Sequence, residues 1–370
     1  MNCLPQEILT AIAEQLPTAA DVCQLRLVEK RCAVAAFPVL FERVQILNTS
    51  ECLHQAESLL QSPYGSIGAT KHLTLYQGTW PLTLSLSAWR GHSLRLRYHD
   101  NDTQTFEQYT RFSRTELSRH FGDNSAKFCG LVGQFSQLQS LCLADVHTRA
   151  QGSARNSHYN SLKDRIQIVP SFHGNVNGIL TQFSTVLNSM RHLTTLSLEG
   201  CLDTSGLDLH ESFSGILSLE VIGLLTTAYL GEHISRFLAS FPHLTHMRLR
   251  PALVGCPNER KLPLSNIQFS DLCHVEFHGI WTSEEELLDF VYRHGLISLS
   301  LSEITFTQGS WESFFGHLRD QLPGIQFRGD GILTTTHSET YQLNAFSVRL
   351  LRLFLATDTF PWPLEISTFW

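Results

Sequence analysis

The sequence predicts an α/β chain in which a short helical domain precedes an irregular solenoid of parallel strands and helices. Three observations carry that prediction. The first 46 residues space their apolar side chains as helices do, an apolar triplet then recurs at near-regular intervals, and amphipathic stretches lie ahead of several of its copies.

The helical start runs from Leu4 to Ile46. Pro5 suits a first helical turn, where its missing N–H leaves nothing unpaired. Ile8, Leu9, Ile12, Ala13 and Leu16 follow at three- and four-residue spacing, and Pro17 stops the run. Asp21 is placed to cap a second helix. That helix carries Val22, Leu25, Leu27 and Val28 and continues through Cys32, Ala33 and Ala36. So short a helical segment cannot bury all its apolar side chains internally, so some of that surface needs a partner.

Leu4-Pro5, Glu7-Ile8, Leu16-Pro17 and Leu25-Arg26-Leu27-Val28 occur in the order and spacing of an F-box, and this stretch resembles that family. Glu29 stands where the family usually has Cys, and Cys32 lies near the position of its usual aromatic. The resemblance covers about an eighth of the chain. It implies docking on a Skp-family adaptor within a cullin–RING ubiquitin ligase, with the rest of the chain holding a protein target.

Phe41–Ile46 and Leu73–Leu75 read as short strands. Then comes apolar-x-x-apolar-x-apolar: Leu138/Leu141/Leu143, Leu193/Leu196/Leu198, Leu219/Ile222/Leu224, Leu244/Met247/Leu249, Leu272/Val275/Phe277, Leu296/Leu299/Leu301 and Leu322/Ile325/Phe327. Chance supplies roughly ten such triplets in a chain of this length, so only their spacing counts. Their first residues are 55, 26, 25, 28, 24 and 26 positions apart. Amphipathic helices are expected at Gly178–Met190, Gly231–Phe241, Ser283–His294 (opened by a Ser-Glu-Glu-Glu capping box) and Ser310–Leu322. Helix, turn and strand repeated at this period resemble a degenerate leucine-rich-repeat array, with parallel strands on the concave side and helices on the convex side. The Asn or Cys usual after each strand is replaced by Ala144, Thr226, Pro251 or Gly279, and Cys201 alone falls at the right place.

The expected organisation is a helical domain at 1–46, a repeat domain at 47–332 and a C-terminal cap or tail at 333–370. Two insertions break the rhythm. Residues 79–122 join a polar stretch from His99 to an aromatic and basic segment around Tyr109, Phe112 and Phe121. Residues 145–177 read as a loop replacing one repeat. Phe346–Leu355 reads as a helix capping the last repeat.

Composition bounds the function. The 370 residues are 42% hydrophobic and 16% charged, as in a globular protein. A net charge of -7 argues against general electrostatic binding of nucleic acid. Nine cysteines without a CxxC pair do not make a disulfide framework or a zinc site. No leader precedes Leu4 and no apolar run is long enough for a bilayer, so an intracellular protein, cytoplasmic or nuclear, is expected. The sequons at Asn48 and Asn101 then read as chance matches.

No motif for catalysis stands out: HExxH, a P-loop, GxGxxG after a strand and a GxSxG elbow are all absent. The eighteen histidines are scattered, and His274 and His278 on one strand would stand about 13 Å apart. Glu284, Glu285 and Glu286 suit a helix start. The chain is therefore expected to be a non-catalytic receptor without cofactor or metal. The resemblance assigns adaptor contact to Leu4, Pro5, Ile8, Leu9, Ile12, Leu16, Pro17, Leu25 and Val28. Target contact is expected at outward strand positions: Gln139, Thr195, Ser197, His246, Arg248, His274, Glu276, Ser298 and Ser300. The alternative is a repeat scaffold whose first helices merely cap the array.

Overall fold

A computed structural model describes residues 4–61, 70–78, 80–92, 102–120, 129–146, 157–170, 176–207, 209, 212–226, 231–252, 261–336, 340–357 and 362. The fold is mixed α/β with mostly parallel strands. It divides into two compact units, Met1–Gly174 with Thr185–Leu193 and Asn175–Ser184 with Thr194–Trp370.

The first unit opens with three helices, α1 (Gln6–Gln15), α2 (Ala19–Arg26) and α3 (Lys30–Phe41). Leu9, Cys32 and Ala35 form their common core, with Leu4 and Leu25 packed against it. The cap of α2 is Thr18, not Asp21 as expected. Thr18 has the extended backbone a cap requires and accepts the Asp21 N–H at 3.2 Å, leaving Asp21 in the first turn. The expected single second helix is two helices, because the chain turns extended at Glu29 (φ -161°, ψ 165°) and restarts at Lys30. Pro38 lies inside α3 and does not end it. A proline there forfeits a single backbone bond, to the carbonyl four residues earlier.

Strands β1 (Arg43–Leu47), β2 (His72–Gln77) and β3 (Ser140–Asp145) follow, paired in parallel with His72 opposite both Arg43 and Ser140. Helix α4 (Ser50–Leu60) connects β1 to β2. The first insertion contains helices α5 (Leu86–His92) and α6 (Asp102–His120), and the second, expected as a loop, contains helix α7 (Ser157–Ile166). Phe106, Tyr109 and Phe112 recur every third residue and bring one face of α6 into an aromatic core with Trp80, Trp89 and Tyr159. Trp89 Nε1 donates to the Ile166 carbonyl at 3.1 Å, tying one insertion to the other. Glu116 of α6 is buried, and its carboxylate accepts the Ser50 N–H at 2.7 Å. A distant insertion thereby supplies negative charge to the first turn of α4. Phe121 and the polar stretch from His99 to Asn101 lie outside the described residues.

The second unit holds β4 (Thr195–Leu202), β5 (Ser218–Leu224), β6 (His246–Pro251), β7 (His274–His278), β9 (Ser298–Phe306) and β10 (Gln326–Thr335), neighbours in that order and parallel. The two-residue β8 (Trp281–Thr282) also pairs with β9. Side chains alternate across such strands. Leu196, Leu219, Met247, Val275, Leu299 and Phe327 stand in one buried row, and Leu198, Val221, Leu249, Phe277 and Leu301 in the next. Helices cover this apolar face: Phe290 of α10 (Glu284–His294) lies 5.6 Å from the Phe277 ring, and Phe315 of α11 (Trp311–Gln321) lies 5.0 Å from Phe327. The chain enters α8 (Asn177–Leu187) ahead of β4 and α9 (Gly231–Ala239) ahead of β6. Ser283 caps α10 by accepting the Glu286 N–H at 3.2 Å.

Two of the seven expected triplets are out of register. Ile216, Leu219 and Val221 are the equivalents of Leu244, Met247 and Leu249, so the triplet read at Leu219 begins three residues late. Gly324, Phe327 and Gly329 are the equivalents of Leu296, Leu299 and Leu301, so the triplet read at Leu322 begins two residues early. Gly329 has no side chain because the space is taken: a Cβ there would meet Leu343 Cδ1 at 2.6 Å and the Leu301 carbonyl at 2.9 Å. Leu343 belongs to β11 (Thr340–Leu343), which runs antiparallel along β10. Helix α12 (Ala345–Ala356) follows where the Phe346–Leu355 helix was expected, opened by an Asn344–Ser347 capping box. The Trp362 ring sits within 6 Å of Phe315, Tyr341 and Phe354. Residues 363–370 lie outside the described residues.

Candidate functional site

Opposite the helix-covered face of the second unit, the alternate residues of its strands make two polar rows. Parallel register aligns Thr195, Ser218, His246, His274, Ser298 and Gln326 across six strands. Two residues further on, Ser197, Glu220, Arg248, Glu276, Ser300 and Arg328 align likewise. From Ser218 to Arg328 these rows floor a groove of about 450 Å³.

The second row is a charge ladder. Ser197 is buried and donates to Glu220 Oε2 at 2.9 Å. Arg248 Nη1 lies 2.7 Å from Glu220 Oε1, and its Nε lies 2.8 Å from Glu276 Oε1. Planar guanidinium geometry allows one arginine to serve carboxylates on both neighbouring strands. In the first row the His246 and His274 rings stack, with centroids 4.2 Å apart and planes at 18°. Burial, then the neighbouring His274, lowers the His246 pKa and favours neutral imidazole. The Thr245 hydroxyl sits 2.9 Å from His246 Nδ1.

The structure brings together Thr195, Ser197, His246, Arg248, His274, Glu276, Ser298 and Ser300 on this face. It does not add Gln139. That residue is exposed and precedes β3 in the first unit, and within that strand Cys142 is buried among the aromatic residues of the insertions. Sequence reasoning missed Ser218, Glu220, Gln326 and Arg328. They lie on the two strands whose triplets were misregistered: with Ile216 aligned to Leu244, Ser218 and Glu220 become outward positions, and with Gly324 aligned to Leu296, Gln326 and Arg328 do.

A second surface lies on the N-terminal helices. Ile8 is 47% exposed and Leu27 71%, and Ile12, Val28 and Val34 also face outward. Pro5 and Pro17 are exposed, while Leu4, Leu16 and Leu25 are half-buried. Leu9 is 1% exposed and belongs to the inner core, which removes it from any direct contact with a partner. Leu27 was assigned to the helix but not to the contact set, and it is the most exposed apolar residue of the hairpin.

Among the described residues, no group of three or more His, Cys, Asp and Glu side chains is placed to hold a metal ion, and no helix is long and apolar enough to cross a membrane. Among the described residues the groove offers hydrogen bonds, ion pairs and shape, the means of binding. No protein-family model matches the chain, and no curated protein matches it in sequence.

Proposed function

We propose that the chain is the substrate receptor of a Skp–cullin–F-box ubiquitin ligase, its N-terminal helices docking on a Skp-family adaptor and its polar strand face holding a protein target. The observation that carries this reading is the division of labour in the first helices. Leu9, Cys32 and Ala35 close the core, while Ile8, Ile12, Leu27 and Val28 present apolar surface to solvent. The strand face supports the second half of the reading, because a target held there would be positioned beside the charged ubiquitin carrier at high effective concentration.

Covering the exposed parts of those four side chains yields about 3–6 kcal/mol. Association costs of order 4–15 kcal/mol, so binding also draws on Leu4, Leu16 and Leu25 and tolerates few losses. The test is a pull-down of the full chain with purified Skp-family adaptor, beside the double change Ile8→Asp and Val28→Asp. Both positions are exposed, so folding is retained and adaptor binding should weaken more than tenfold. A folded full-length chain that does not bind the adaptor leaves the rival reading, a binding scaffold; the grouping of these helices with β1–β3 in one compact unit supports that rival.

A further inference from the structure

We propose that the target segment held on the strand face is an extended stretch carrying one basic and one acidic side chain about three residues apart, the base over Glu276 and the acid over Arg328. The proposal rests on the target-binding half of the reading above and names the chemistry of that target.

Arg248 is committed on both sides, to Glu220 and to Glu276. Glu220 is committed twice, to Arg248 and to the Ser197 hydroxyl. Glu276 gives one oxygen to Arg248, and among the described residues its other oxygen has no partner. The trio therefore carries a net negative charge, open at Glu276. Two strands away, Arg328 is exposed and makes no ion pair among the described residues. Asp330 stands at the next position of the same face along β10. The floor between the two open charges is Ser298 and Ser300, whose hydroxyls make no hydrogen bond among the described residues.

The spacing follows from strand geometry. β7, β9 and β10 are successive neighbours, so Glu276 and Arg328 are two inter-strand steps apart, about 10 Å. An extended chain in the polyproline II conformation rises about 3.1 Å per residue with three residues per turn, so side chains three positions apart share one face and stand about 9 Å apart. Its polar groups would meet the serine hydroxyls, which a bare apolar segment would leave buried and unpaired. A purely acidic segment would satisfy Arg328 but face the open oxygen of Glu276, and a purely basic one would meet Arg328 itself.

The experiment is selection of a random linear peptide display library on the immobilised full-length chain. The expected result is enrichment of peptides with Lys or Arg about three positions from Asp or Glu, and at least tenfold weaker binding of such a peptide to Arg328→Ala. Replacing the acid of that peptide by Lys should restore binding to Arg328→Glu. Enrichment of sequences without the charge pair, no enrichment at all, or unchanged affinity for Arg328→Ala would each overturn the proposal. The adaptor pull-down reads a different surface. Adaptor binding without a charge-paired peptide sinks this inference alone, and the converse sinks the ligase reading alone.

Discussion

Single side chains decide the local chemistry of this protein, and His294 shows how. Its Nδ1 lies 2.8 Å from the Phe290 carbonyl and its Nε2 lies 3.2 Å from the Phe269 amide. The carbonyl requires N–H on Nδ1 and the amide requires a lone pair on Nε2, so the ring is held neutral. Burial, and after it the nearby Arg293, lowers the pKa, against the opposing effect of the Phe290 carbonyl. The folded state thus binds fewer protons than the unfolded chain. The contribution is fully present above about pH 6.5 and is lost as pH falls through the lower folded value. The melting temperature should fall between about pH 7 and pH 5, and His294→Gln, which keeps an acceptor for the Phe269 amide, should flatten part of that fall. His72, His246 and His278, also lowered by burial, add in the same direction. A variant whose pH profile matched the parent's would show that His294 does not titrate with unfolding.

At the scale of elements, the N-terminal helices separate folding from display. Leu9 is enclosed by Cys32 and Ala35, whereas Ile8, its neighbour in sequence, points away. Leu9→Ala should cost about 2–5 kcal/mol, as deletions of buried aliphatic groups do. Ile8→Ser should change stability by less than about 0.5 kcal/mol, the usual range for exposed positions. Chemical denaturation of the two variants distinguishes them, and equal losses would show that Ile8 is a core residue. Burial also governs Cys32: it raises the thiol's pKa, an effect reinforced by the Glu29 carboxylate, so this cysteine is kept as an apolar group. The helical periodicity of α1 was legible in the sequence. Which of its apolar residues face inward was not, because Ile8, Leu9 and Ile12 all satisfy the same spacing, and only the direction of α3 selects Leu9.

At the scale of the whole molecule, the seven described cysteines are joined by no disulfide, and three of them (Cys32, Cys129 and Cys142) are buried. Burial raises the Cys129 thiol as it does Cys32. Reductant should leave the melting temperature unchanged, and thiol titration of the native chain should leave these three unreacted until denaturant is added. A reductant-sensitive melt would reveal a disulfide outside the described residues.

The sequence by itself determined the alternation of strand and helix, the period of the apolar rows, and the helical start, because each depends on spacing within one element. Only the tertiary structure decided the register between strands. Two triplets matched the pattern at the wrong offset, and nothing within a single strand separates Leu219/Ile222/Leu224 from Ile216/Leu219/Val221; the neighbouring strand does. The same holds for Gly329, which breaks the pattern because Leu343 fills its place, and for the insertions, whose aromatic residues acquire a core only when α6 meets α7. The charge ladder is the clearest case. Glu220, Arg248, Glu276 and Arg328 stand 28, 28 and 52 residues apart in sequence, and parallel pairing puts them in one row. Periodicity is a property of one segment, whereas complementarity of charge arises between segments and exists only once they are paired.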